Sequence, residues 1–285
     1  MSQNPLKRKE DIGLSPYELK FRGQHRSDDV QLSLFDIDFE NVNESTIRSV
    51  GELLQYKDTE TLTWLNIDGV HNEELMNELV SNLQIPSDIL SDVMAPDSRP
   101  QMEEFDHGLF VSIKMMKFHE RTNQISVDNL SLVMKNNLLV SFQEEKSDLF
   151  NVVKERIRMH NKRFREQGVD YLAFALLDVV IDNYIFILGV LGEKIDKLEN
   201  KMVMNPGRDT LKIINLLKRE LTGLGRYIRP AREMVMGLVK SDSDLITPGN
   251  EKHYKELQDN INQAIELLDY YRELLYDELN IYHSS

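Results

Sequence analysis

Residues 251–285 read EKHYKELQDNINQAIELLDYYRELLYDELNIYHSS, and this run governs how the C-terminal half must fold. Tyr254, Leu257, Ile261, Ala264, Leu268, Tyr271 and Leu275 recur at alternating intervals of three and four, which lines them up along one face of a helix. A seam of that kind needs a partner. Carried on through Leu279 and Tyr282, the helix would extend about 45 Å at 1.5 Å per residue, a length closer to a stalk than to the closing helix of a compact globule. On pattern alone, a terminal helix packed inside an ordinary globular protein accounts for the same spacing.

Working outward, three more helical runs precede the seam: Leu149 to Phe164, Asp170 to Met202 and Asp209 to Lys240. Asn205, Pro206 and Gly207 force one turn between them and Thr247, Pro248 and Gly249 another, while Pro230 predicts a kink. Upstream of Asp148 the pattern is different. Short β-rich runs appear at Val30 to Phe39, Leu62 to Ile67, Leu109 to Phe118, Ser126 to Met134 and Leu138 to Gln143, with Asn136 and Asn137 as the tightest connection. Helices over Glu73 to Leu83 and Pro86 to Met94 lie between them, the second stopped by Pro96 and Pro100. The pattern predicts an α/β layer structure with a mixed sheet, followed by long helices, and divides the chain into residues 1–147, 148–249 and 250–285.

Composition narrows the function. Against 34 Lys and Arg stand 48 Asp and Glu, a formal net charge of -14, which argues against nonspecific binding to nucleic acid or anionic lipid and makes cations the natural partners. There is no cysteine, so disulfides, thiolate zinc sites and cysteine nucleophiles are excluded. Met1 to Asp11 is polar and lacks the apolar core of a signal peptide. The most apolar windows, Ala173 to Leu191 and Ile125 to Phe142, are interrupted by Asp178, Asp182 and Asn183 or by Asp128, Lys135 and Asn136, so the chain is expected to be soluble.

No motif of hydrolytic, dinucleotide-binding or P-loop chemistry is present, and the histidines lack zinc-enzyme spacing. His107, His119 and His160 read as surface or hydrogen-bonded residues. Asp178 and Asp182 share one helix face among Leu176, Leu177, Val179, Val180 and Ile181. Either they face solvent or an arginine, or they serve a hard cation such as Mg²⁺, which takes oxygen ligands and keeps several waters. Asp92 presents the same two readings.

Taken together, Thr63-Trp64-Leu65-Asn66-Ile67-Asp68-Gly69-Val70-His71, Arg99-Pro100-Gln101-Met102-Glu103, Phe142-Gln143-Glu144 and Asp170-Tyr171-Leu172 leading to Asp178 resemble the CorA-type magnesium and cobalt transporter family over nearly the whole chain. Asn280 to Ser285 resembles the helix just before that family's pore-lining segment. The resemblance implies an N-terminal α/β/α sandwich, two antiparallel helices and a stalk helix, self-associated as a pentamer in the full-length protein, with the seam at Tyr254 covered by assembly. It implies a divalent-cation-sensing and gating role on the cytoplasmic side of a bacterial inner or plasma membrane, without catalysis, and membrane contact through helices and a Gly-Met-Asn motif that these 285 residues do not contain. It also implies a regulatory metal site shared between Asp92 of one subunit and Glu256 of its neighbour, with Asp178 contributing. Mg²⁺ is the implied regulatory ion and Co²⁺ a further one. Ser91 departs from relatives that carry a carboxylate there, and Glu256 is longer than the Asp of some relatives. The alternatives are the cytoplasmic part of a related zinc or other divalent-metal transporter, and a structural coiled-coil protein.

Overall fold

Strand β3 (Leu62–Asp68) is buried at every position, as befits a strand with a neighbour on each edge and a layer on each face. In the computed structural model, which describes residues 13, 15, 17–23, 29–56, 59–204 and 208–284, β3 is third in a seven-stranded mixed sheet ordered β2-β1-β3-β7-β6-β5-β4. Its companions are β1 (Gln31–Ile37), β2 (Val42–Ile47), β4 (Gln101–Phe105), β5 (Gly108–His119), β6 (Gln124–Lys135) and β7 (Leu138–Gln143). Among these strands only β3 and β7 run parallel, from Thr63 beside Leu138 to Asp68 beside Gln143. The other pairs are antiparallel. β6 and β7 meet at the expected Asn136–Asn137 turn, where Asn136 takes φ 48°, a left-handed conformation that asparagine tolerates better than most residues.

Alternation along β3 sends Leu62 and Trp64 to one face and Leu65 and Ile67 to the other. On the Leu65 face, α1 (Glu73–Leu83) and α2 (Ser87–Val93) bring Met76, Leu79, Ile89 and Leu90 onto Phe110, Val133 and Phe142. Helix α1 begins at Asn72, whose side chain accepts the Leu75 N–H at 3.0 Å, an N-cap that satisfies one of the orphan donors of the first turn. On the Trp64 face lie α3 (Asn151–Met159), α4 (Asn161–Gln167) and α5 (Val169–Met204), followed by α6 (Arg208–Lys240) and α7 (Glu251–Ser284). The architecture is the expected α/β/α sandwich with a mixed sheet, continued by long helices.

Two local readings are revised, at the first helical run and at the sheet edges. The single helix expected over Leu149 to Phe164 is two, parted at His160, whose φ of -136° and ψ of 37° leave the helical region. Helix α6 runs through Pro230 without interruption. Strands β2 and β4, absent from the sequence reading, form the two edges of the sheet. The turn expected at Asn205 to Gly207 and the opening Met1 to Asp11 lie outside the described residues.

The α7 seam is covered, and by its own chain. Tyr254, Leu257, Ile261, Ala264, Leu268 and Leu275 are each at most 1% exposed and share one apolar cluster with Leu177 and Leu188 of α5 and Leu224 and Ile228 of α6. This corrects the expectation that the seam waits for a neighbouring subunit: two helices of the same chain already meet it. A different stripe of α7 faces outward, with Tyr270 and Ile281 both 55% exposed.

Helix α5 also corrects the reading of its composition. Val169–Asn200 is long and apolar enough to cross a membrane by length and composition, with 56% of its most apolar window buried inside the fold. Leu172, Leu176, Leu177, Val180 and Ile181 are all buried in the shared core, which gives the apolar run a packing role. Tyr184 on the same helix donates its hydroxyl to the Lys114 carbonyl, and Asn183 donates to that of Met116, tying α5 to β5. Burial raises the Tyr184 phenol well above its ordinary value, so it stays a donor at any physiological pH.

Helices α5 and α7 pack tightly at Gly192, where a Cβ would meet the ring and hydroxyl of Tyr271. Gly192→Ala is expected to cost about 1–3 kcal/mol through overpacking, with most of the loss recovered in Gly192→Ala combined with Tyr271→Ala. Urea melts of the two single variants and the double variant test this, and a Gly192→Ala protein as stable as the parent would show that the contact imposes nothing.

Candidate functional site

Helix α7 starts where a buried carboxylate places it. Asp170, in the first turn of α5 and 1% exposed, accepts the Thr247 backbone N–H through Oδ2 at 2.7 Å, and Asn250 Nδ2 through Oδ1 at 3.0 Å. The Thr247 hydroxyl donates to Oδ1 at 3.3 Å, and the Tyr254 hydroxyl donates to the Asp170 carbonyl at 2.9 Å. Burial raises the Asp170 carboxyl, and the hydrogen bonds from Asn250 and Thr247 act the other way. The clip fixes the turn at Pro248–Asn250, so the first turn of α7 sets His253 over Tyr171 and Phe174 of α5.

Asp178 and Glu256 come together at this end of the α5–α7 contact. Glu256 has a side chain 61% exposed, and its Oε2 lies 3.2 Å from Nδ1 of His253. Asp178 is half-buried, and its carboxyl is pushed up to about 6. Burial is the main cause, Asp182 and Glu256 add repulsion, and Arg156 and His253 oppose it. Asp182 is exposed, as the solvent reading of that pair expects.

Asp92 belongs to a different surface. It sits on α2, in the layer on the opposite face of the sheet, half-buried, with Oδ2 accepting Gln101 Nε2 at 2.9 Å. Glu103 nearby has its carboxyl raised, first by burial and then by the charges of Asp88 and Asp92. Ser91 is buried, accepts from Arg22 Nη2 and donates to the Glu18 carbonyl, both at 3.2 Å. Its hydroxyl thus anchors the segment ahead of β1 to α2.

The structure therefore joins two of the three anticipated residues, Asp178 and Glu256, and leaves Asp92 on a separate element. Among the described residues, no three His, Asp or Glu side chains are grouped so as to hold a metal ion. His253 was missed by the sequence reading. Its signal was present in the His253–Glu256 spacing of three on a helix, which places the two side chains on neighbouring positions of one face. His119, expected to be hydrogen-bonded, has Nε2 at 2.8 Å from the Ser126 hydroxyl.

The family model described as "CorA-like Mg2+ transporter protein" matches residues 59–285. The chain belongs to that family. It is 28% identical over 273 residues to the cobalt/magnesium transport protein CorA of Thermotoga maritima, covering 96% of this chain and 78% of that protein. To the cobalt/magnesium transport protein CorA of Methanocaldococcus jannaschii it is 23% identical over 227 residues, covering 77% of this chain and 68% of the relative. Its fold matches the soluble domain of CorA from Methanocaldococcus jannaschii with a TM-score of 0.73 at 20% identity, over 89% of this chain and 96% of that one. Cation transport of the CorA family is thus the general function in which this chain takes part, and its acidic helix faces are to be understood in that setting.

Asp178 carries a testable electrostatic cost. The folded state holds its proton more tightly than the unfolded chain does, so its contribution lowers stability as pH rises from 3.8 to about 6 and persists above that. Asp178→Asn removes the cost. Without divalent ions at pH 8, the variant is expected to melt a few degrees above the parent, about 1 kcal/mol after allowance for solvent screening, and the two should converge below about pH 4. Circular dichroism melts at both ends of that range decide it, and equal melting temperatures at pH 8 would rule it out.

Proposed function

We propose that this chain is the cytoplasmic, divalent-cation-sensing and gating part of a magnesium and cobalt transport channel. In this reading residues 1–147 form the sensing layer, 148–249 the antiparallel helices and 250–285 the stalk that leads toward the membrane. Mg²⁺ binds between subunits, held by Asp92 of one and Glu256 of the next with Asp178 adding charge, and Co²⁺ can take the same oxygen ligands. Five copies arranged around a pore are the assembly proposed.

One observation carries the reading. Asp92 and Glu256 stand on separate elements, and each has one carboxylate oxygen hydrogen-bonded within the chain, to Gln101 and His253 respectively. The donor chemistry suits Mg²⁺, a hard ion that binds through one or two carboxylates and keeps most of its waters. Asp178 is pushed up chiefly by burial and further by the charges of Asp182 and Glu256, and a dication bound beside it would offset those negative charges.

A bound ion draws subunits together only if it prefers the closed assembly. A tenfold preference per site contributes about 1.4 kcal/mol toward closure, so five independent sites would be enough to govern one gate. When cytoplasmic Mg²⁺ falls, the sites empty, and repulsion among acidic subunits favours opening.

The test is current through the full-length transporter over a cytoplasmic Mg²⁺ titration. The parent is expected to be inhibited as Mg²⁺ rises. Asp92→Ala combined with Glu256→Ala should require at least about tenfold more Mg²⁺ for half-inhibition, beyond any effect of removing two unrelated exposed acids. With folding and assembly preserved by circular dichroism and size-exclusion chromatography, an unchanged inhibition curve would exclude the pair.

A further inference from the structure

We infer that His253 sets how Glu256 coordinates an ion, and through it the preference of the site for small octahedral dications over Ca²⁺. The inference rests on the reading above that Glu256 is an ion ligand. An exposed glutamate has three rotatable bonds and loses their freedom on binding. Here one of its oxygens is already engaged. His253 is 8% exposed, and its ring is stacked on Phe174 at 4.8 Å and 27°, with the edge of Tyr171 at 5.2 Å and 61°. A ring held on two sides keeps Nδ1 aimed outward, and Nδ1 lies 3.2 Å from Glu256 Oε2.

With its proton on Nδ1, the imidazole donates to Oε2 and leaves Oε1 as the oxygen offered to an ion. A carboxylate held in this way binds through one oxygen. That geometry suits Mg²⁺ and Co²⁺, which take octahedral, monodentate ligands at short distance, and it disfavours Ca²⁺, which gains from bidentate carboxylates and a larger coordination number. Gln101 engages one oxygen of Asp92 by the same device on the other half of the proposed site, so each carboxylate is biased toward offering its other oxygen. His253 is thus a positioning residue, not a ligand. Its effect should appear in the ratio between ions, which loss of folding alone would not move.

The experiment measures half-inhibiting cytoplasmic Mg²⁺ and Ca²⁺ concentrations for currents of the full-length transporter carrying His253→Phe, which keeps the aromatic stack and removes the donor. The Mg²⁺ value is expected to rise about tenfold, the lower end of what loss of a ligand's hydrogen-bond partner costs, while the Ca²⁺ value stays level or falls. His253→Gln, which restores a donor without the ring, should recover part of the Mg²⁺ preference. Glu256→Asp, which shortens the side chain away from Nδ1 but keeps its charge, should shift the ratio in the same direction and stands in if His253→Phe fails to fold. Glu256→Gln separates the two levels of the argument. If Glu256→Gln leaves Mg²⁺ inhibition unchanged, the intersubunit site itself is wrong and the role of His253 falls with it. If Glu256→Gln weakens inhibition while the His253→Phe ratio of Mg²⁺ to Ca²⁺ equals the parent's, or both ions weaken alike, the role of His253 is overturned and the site stands.

Discussion

The hydrogen bonds that converge on the Asp170 carboxylate are what the rest of the helical half depends on. An ionised carboxylate in the core carries a large desolvation cost, and one of its donors would be left exposed to the same kind of cost if it were removed. That asymmetry makes the site specific: the turn between α6 and α7 is closed here by the Thr247 backbone N–H and the Asn250 amide. Once it is closed, the start of α7, the stacking of His253 on Phe174 and the neighbourhood of Asp178 and Glu256 all follow from helix geometry. The surface proposed to face an ion is thus positioned by a residue that lies outside it.

The acidic excess of the chain is organised at two levels. Charges on exposed helix faces, such as Glu193 and Lys197, lie in water and interact weakly. Asp178 lies half out of water, where the same charges count for more, and its carboxyl titrates closer to neutrality than an exposed aspartate. Lys114, buried on β5 with Nζ donating to the Pro96 carbonyl at 2.5 Å, shows the opposite arrangement. Burial lowers its ammonium to about 8, against the pull of Glu144, Asp97 and Asp128, and its hydrogen bond holds the loop that runs from α2 to β4.

What was legible in the sequence follows from burial. The central strands β3, β5, β6 and β7 announce themselves through apolar and β-branched residues because layers cover both of their faces, and Asn136 marks a turn because few other residues accept its backbone. VNESTI and QMEEF do not, because edge strands bury little and their pairing is carried by the backbone. The α7 seam was read correctly as a buried stripe, but periodicity says only that a stripe has a partner. Whether Leu257 meets Leu224 of its own chain or a residue of another depends on how the α6–α7 connection closes, and Asp170, eighty residues upstream of Asn250, carries that information. Of the candidate site, Asp178 and Asp92 were visible as acids on apolar helical runs and Glu256 came only through the family resemblance; the spacing of His253 to Glu256 was legible, but its stacking on Phe174 was not.

The parallel pairing of β3 with β7 has a consequence for how the protein is made. Thr63 and Trp64 find their partners only at Leu138 and Leu139, so one long edge of β3 stays uncovered while some seventy residues more leave the ribosome. At typical synthesis rates that interval is on the order of several seconds, far longer than the microseconds in which a hairpin forms. During it, β1 and β3 present Phe35 and Trp64 on an unfinished sheet, and the β5–β6 hairpin can form first and wait. The nascent chain therefore passes through a stage in which a strand destined for full burial is a template for the wrong neighbour, and the speed of β7's arrival bears directly on yield.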